Sequence, residues 1–154
     1  MTRAFADPAA EAEEFCNRWK KDVFTFCRMH LGDGVAAEMV TTETLAAFYR
    51  KREQRMDQPS EALPRMLNLA IRASQKYRDG GFEASHSASR LEQAIQRLPP
   101  MERAVLIMRN LMHLDWAVVA LGTDLSRTEA HKIWARAFFQ LNELLQRDFP
   151  KESD

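Results

Sequence analysis

Apolar side chains recur at spacings of three and four along most of this chain, and that period fixes the class of fold. Phe15, Cys16, Trp19, Val23, Phe26 and Cys27 make one stripe, with Asp7-Pro8 ahead of it as a helix start. An acid can cap the first free N–H groups, and proline at the first helical position removes a donor that has no partner anyway. L-G-D-G at 31–34 breaks the stripe, and Asp33 can cap a second helix predicted from about Val35 to Arg55, with Met39, Val40, Leu45, Phe48 and Tyr49 inward. Q-P-S at 58–60 breaks the pattern again. Ser60 can cap a third helix through Tyr77, its apolar side made of Leu63, Met66, Leu67, Ala70 and Ile71. No stretch alternates with the two-residue period of a strand, and five glycines are too few for a fold built on tight turns. The class is all-α.

The Gly/Ser-rich run D-G-G-F-E-A-S-H-S-A-S at 79–89 is the best linker in the chain. It divides residues 1–79 from residues 91–154, with 80–90 as the tether. Behind it the pattern predicts a short helix at Leu91–Arg97, one from Pro100 to about Met112, and two more at about 115–122 and 126–147. The expected architecture is two small helical bundles joined by a flexible linker, the rear one containing a helix-turn-helix.

Charge is balanced overall, 22 basic against 22 acidic side chains, but unevenly placed. Residues 1–45 carry five basic and eight acidic groups, whereas residues 46–79 carry eight basic and four acidic. A basic middle is therefore hidden by an acidic front, and it is the local balance that sets the field a nucleic acid would meet. The two cysteines, eleven positions apart, would lie about 16 Å apart on one helix, beyond the ~7 Å that a disulfide spans. Free thiols in an apolar stripe fit a reducing, cytoplasmic setting. The N-terminus has no signal-peptide core, and no run is long enough to insert in a membrane.

Enzyme motifs are missing: there is no Gly-rich phosphate loop, no H-E-x-x-H and no nucleophile motif, so catalytic residues and cofactors are expected to be none. Cys27-x-x-His30 has a helical ligand spacing with Cys16 on the same face. A structural zinc site wants four ligands, and His86, His113 and His131 are dispersed, so no metal is expected.

The segment D-W-A-V-V-A-L-G-T-D-L-S-R-T-E-A-H-K-I-W-A-R-A, Asp115 to Ala137, carries the functional signal. Asp115 is an N-cap candidate, G-T-D at 122–124 supplies a turn, and Ser126-Arg127-Thr128-Glu129 is a capping box. Val118, Val119, Leu121, Leu125, Ala130, Ile133 and Trp134 supply a packing seam. In such a motif the second helix enters the major groove, which would put Arg127, Thr128, His131 and Lys132 against DNA and Arg136 near phosphate.

Two longer segments resemble a known family. L-P-P-M-E-R-A-V-L-I-M-R at 98–109, L-D-W-A-V-V-A at 114–120 and A-R-A-F-F-Q-L-N-E-L-L at 135–145 look like the promoter-reading domain of extracytoplasmic-function sigma factors. In front of them, A-E-M-V-T-T-E-T-L-A-A-F-Y-R at 37–50 is similar to that family's polymerase-binding helix, with Glu38, Glu43, Tyr49 and Arg50 in place. The third helix stands where the family melts and reads the downstream promoter element. Its Arg65, Asn68, Arg72 and Lys76, at spacings of three or four, share one face. The resemblance implies core RNA polymerase and promoter DNA as partners, with an anti-sigma factor as a further one. It also leaves a second reading, a sigma-like interaction module that binds a regulatory protein without productive promoter recognition. Departures from the family pattern are Met39, Thr42, Ile71-Arg72, Asp124 at the turn glycine, Ile133, and Phe138 and Phe139 in place of basic residues.

Overall fold

The computed structural model describes residues 7–51, 61–79 and 89–148. All regular structure in them is helical, in the order α1 (Pro8–Leu31), α2 (Gly34–Arg50), α3 (Ala62–Asp79), α4 (Arg90–Gln96), α5 (Pro100–Leu106), a π-helical turn (Ile107–Leu111), α6 (Trp116–Thr123) and α7 (Arg127–Asp148). The all-α expectation holds. The expected cap Ser60, positions 52–55 of the second helix and most of the tether, 80–88, lie outside the described residues. The tether's last two expected positions belong to a helix start: Ser89 accepts from the N–H of Glu92 at 3.2 Å, and Arg90 is the first helical residue.

Local chemistry sets the boundaries. Asp7 accepts from the N–H of Ala9 at 3.0 Å and starts α1. Gly32, at φ 75°, ends it in the left-handed region that glycine enters at least cost. Asp33 follows at once and caps α2 by accepting from the N–H of Ala36 at 2.9 Å. Two residues therefore turn the chain back on itself, and α1 and α2 pack as an antiparallel pair. Asp115 departs from expectation: it sits at the N-cap of α6 with extended backbone but makes no side-chain capping bond.

The core is built from Val23, Phe26 and Cys27 of α1, Ala37, Val40 and Phe48 of α2, Met66, Leu67 and Ala70 of α3, and Ile95, Leu98, Val105, Ile107 and Met108 behind them. Met39 is a correction. It was expected inward, but it is about half exposed, because Ala36, Ala37 and Val40 set the buried phase and turn it outward. Phe15 stacks on Phe48 with ring centroids 5.9 Å apart and lies 5.2 Å from Tyr49. Cys16 is half-buried, whereas Cys27 is wholly buried and burial pushes its thiol up to about 12.

The front and rear segments both contribute to this core. Arg103, 2% exposed, ties them. Its guanidinium donates to the carbonyls of His30 (2.8 Å), Ile95 (3.0 Å), Gln96 (2.7 Å) and Leu98 (2.7 Å). These carbonyls lie at and just beyond the C-terminal ends of α1 and α4, where helix dipoles place negative charge, so a buried cation is solvated by backbone. Gln96 adds a bond from its side-chain amide to the carbonyl of Met29 at 2.6 Å.

Candidate nucleic-acid interface

The start of α7 is set rigidly by its cap. Ser126 Oγ accepts from the N–H of Glu129 at 3.1 Å, and Glu129 Oε1 accepts from the N–H of Ser126 at 3.3 Å, the reciprocal pair that the sequence predicts. Asp124 makes the preceding turn at φ 59°, a left-handed conformation that a short polar residue tolerates. Leu125 N–H then donates to the carbonyl of Ala120 at 3.0 Å. Ala130 and Ala137 are buried, with Ile133 and Trp134 partly so, and α7 is thereby fixed in rotation about its own axis. Arg127, Thr128, His131 and Lys132 are all on the exposed side. Leu121, expected in the seam, is instead 38% exposed and lines a cleft towards α3.

An aromatic cluster backs this helix. His131 stacks on Trp116 at 3.9 Å, so one face of the imidazole is covered. Arg109 stands over the same indole at 4.9 Å. Trp134 lies edge-on to Trp116 at 5.9 Å and donates from Nε1 to Asn110 Oδ1 at 2.8 Å. Phe138 stacks on Trp134 at 5.6 Å, and both it and Phe139 are exposed in large part. Arg136, the expected phosphate contact, pairs with the largely buried Glu102 at 3.3 Å but keeps most of its side chain in solvent.

The face of α3 is differently placed. All four of its expected nucleic-acid residues have intramolecular partners. Arg65 donates to Glu61 from Nε (3.2 Å) and from a terminal nitrogen (2.9 Å), and Lys76 pairs with Glu43 at 3.4 Å. Asn68 donates from Nδ2 to the Gly122 carbonyl at 3.0 Å and to Asp124 Oδ2 at 3.1 Å. Arg72 donates to the same Asp124 oxygen at 3.2 Å. Gly122 permits this approach: a Cβ there would lie 3.3 Å from Met108 Cε and 3.4 Å from the Pro64 carbonyl oxygen. A cleft of about 300 Å³ remains between Arg65, Asn68, Leu69, Arg72, Leu121 and Asp124.

Of the residues expected to meet polymerase, Glu38 and Arg50 are exposed, Glu43 is held by Lys76, and Tyr49 is half-buried against Phe15. Sequence reasoning did not assign Arg103, Gly122 or Asp124 their places in joining the halves. The sequence marks Gly122 and Asp124 only as turn residues. Arg103 stood in the quoted Leu-Pro motif, but nothing local distinguishes a buried arginine from a surface one. Among the described residues no three His, Cys, Asp or Glu side chains come together as metal ligands, and no helix is long and apolar enough to cross a membrane.

No family model and no curated protein matches the chain. Among solved structures it is similar to the sigma factor RpoE of Bartonella quintana in complex with the anti-sigma factor NepR, with a TM-score of 0.70, 16% identity, and coverage of 90% of this chain and 98% of that one. It is similar also to CnrH in complex with the cytosolic domain of CnrY, with a TM-score of 0.73, 16% identity, and coverage of 91% of this chain and 90% of that one. At such identities the likeness is one of fold, and it runs nearly end to end.

Proposed function

We propose that this protein is a sigma factor of the extracytoplasmic-function type, a cytoplasmic, non-catalytic subunit that directs core RNA polymerase to selected promoters. The observation that carries the reading is the exposed, doubly capped start of α7, which holds Arg127, Thr128 and Lys132 together on one solvent-facing side. The sigma-type sequence segments and the shared fold of RpoE support it. In this reading Lys132 donates to guanine edges in the major groove, Arg127 and Arg136 neutralise phosphate, and His131 contributes through its uncovered edge. Glu38, Glu43, Tyr49 and Arg50 of α2 serve polymerase docking. Arg65, Asn68, Arg72 and Lys76 of α3 hold the displaced strand once the duplex opens. Transcription in vitro with core polymerase on a promoter library is the test: specific initiation from a subset of promoters is expected, and none from any would remove the reading.

A second reading has its own support. The α3 face is engaged within the chain, and RpoE was solved with an anti-sigma factor bound. A sigma-like module that binds a regulatory protein without productive promoter contact would copurify with a small partner and not with core polymerase.

A further inference from the structure

One acid of the α6–α7 turn closes the edge of α3. Asp124 Oδ2 accepts from Asn68 Nδ2 at 3.1 Å and from an Arg72 terminal nitrogen at 3.2 Å. An amide and a guanidinium converging on one anionic oxygen is also how a protein holds a phosphate oxygen. We infer that Asp124 occupies the site at which Asn68 and Arg72 would take a backbone phosphate of single-stranded DNA, so that the closed chain keeps its own single-strand site shut. The inference rests on the reading of α3 as a strand-binding face.

The turn itself does not require this acid. At φ 59°, glycine serves with less strain, so the carboxylate supplies something beyond turn geometry. The contact is also built to part. Arg72 and Asp124 are 68% and 65% exposed, and water and salt screen such a pair. The join on the other side, Arg103 to the carbonyl of His30, is buried and has no comparable access to solvent. A polyanion competing for Asn68 and Arg72 would therefore meet the exposed Asp124 carboxylate first, ahead of the buried packing of Val119 and Gly122 and ahead of Arg103. Strand binding at Asn68 and Arg72 requires the Asp124 carboxylate to leave them, whereas duplex binding at α7 does not.

The test is fluorescence anisotropy of a labelled single-stranded oligonucleotide against the full chain, with circular dichroism to show that each variant is folded. Asp124→Gly fits the left-handed turn and removes the carboxylate, and it is expected to tighten strand binding by about three-fold. Adding Arg72→Ala to Asp124→Gly should abolish the gain. Glu143→Gln, an equal change of charge at an exposed site on α7, should leave the affinity at the wild-type value. If Asp124→Gly gains no more than Glu143→Gln, the occupancy of the site by Asp124 is overturned. Weaker binding by Arg72→Ala in both backgrounds would then leave the reading of α3 standing. If neither Arg72→Ala nor Lys76→Ala changes binding in either background, the reading of α3 falls, and the inference with it.

Discussion

The start of α7 and the edge of α3 both carry basic and polar side chains at helical spacing, and the sequence marks both as nucleic-acid faces. In the folded chain Arg127, Thr128 and Lys132 are exposed, while Asn68 and Arg72 are held by Asp124 and the Gly122 carbonyl. The same composition on two helices thus has two outcomes. What separates them is whether another element approaches. A glycine at position 122 admits the backbone of α3 to within contact, and nothing comparable stands over the start of α7 among the described residues.

The largest effect expected on this contrast is at the join between the halves. Arg103→Ala leaves four carbonyls without their donor and should cost about 3–5 kcal/mol, read as a shift in chemical denaturation. Arg103→Lys should rescue little, because a single ammonium cannot reach four acceptors that a planar fork spans. A loss under ~1 kcal/mol, the scale of one ordinary hydrogen bond, would mean that Arg103 adds little to the join beyond its apolar packing and its other polar contacts.

At the open face, Arg127→Ala with Lys132→Ala should weaken binding to a cognate promoter duplex by about ten-fold, and each lost phosphate contact should lower the slope of log affinity against log salt by about 0.9. An unchanged slope in a salt titration would remove α7 as the duplex reader. His131→Ala should separate support from contact. It should lower stability by about 1 kcal/mol through the lost Trp116 stack and change duplex affinity less than Lys132→Ala does. An affinity loss equal to that of Lys132→Ala would make His131 a direct reader.

A last effect lies away from both faces and vanishes at neutral pH. Cys27 keeps its proton in the fold up to about 12, against an ordinary value of 9.0. Between those values the unfolded chain loses a proton that the folded chain retains, so stability should fall as pH rises from 9.0 towards about 12. Denaturation midpoints across that range check it, and native thiol labelling should modify half-buried Cys16 well before Cys27.

Much of this was legible in the chain. The stripe from Phe15 to Cys27, the capping residues Asp7 and Asp33, and the Ser126–Glu129 box are short-range patterns, and each appears where the spacing predicts it. Met39 and Leu121 stand next to buried residues yet face outward, because which side of a helix is buried depends on the neighbour it meets. The pairing of Arg136 with Glu102, 34 positions earlier, lies beyond any local rule.

The sequence by itself determined the run of helices, the caps at Asp7, Asp33 and Ser126 and the basic composition of the start of α7, since caps and apolar period act within a turn or two of chain. Only the tertiary structure decided that the two halves share a core, that Arg103 is buried among carbonyls, and that Asp124 lies against Asn68 and Arg72. The bonds from Arg103 to His30 and from Asn68 and Arg72 to Asp124 join residues more than fifty positions apart, and the free energy that selects them comes from packing and desolvation at the junction, which no local pattern encodes.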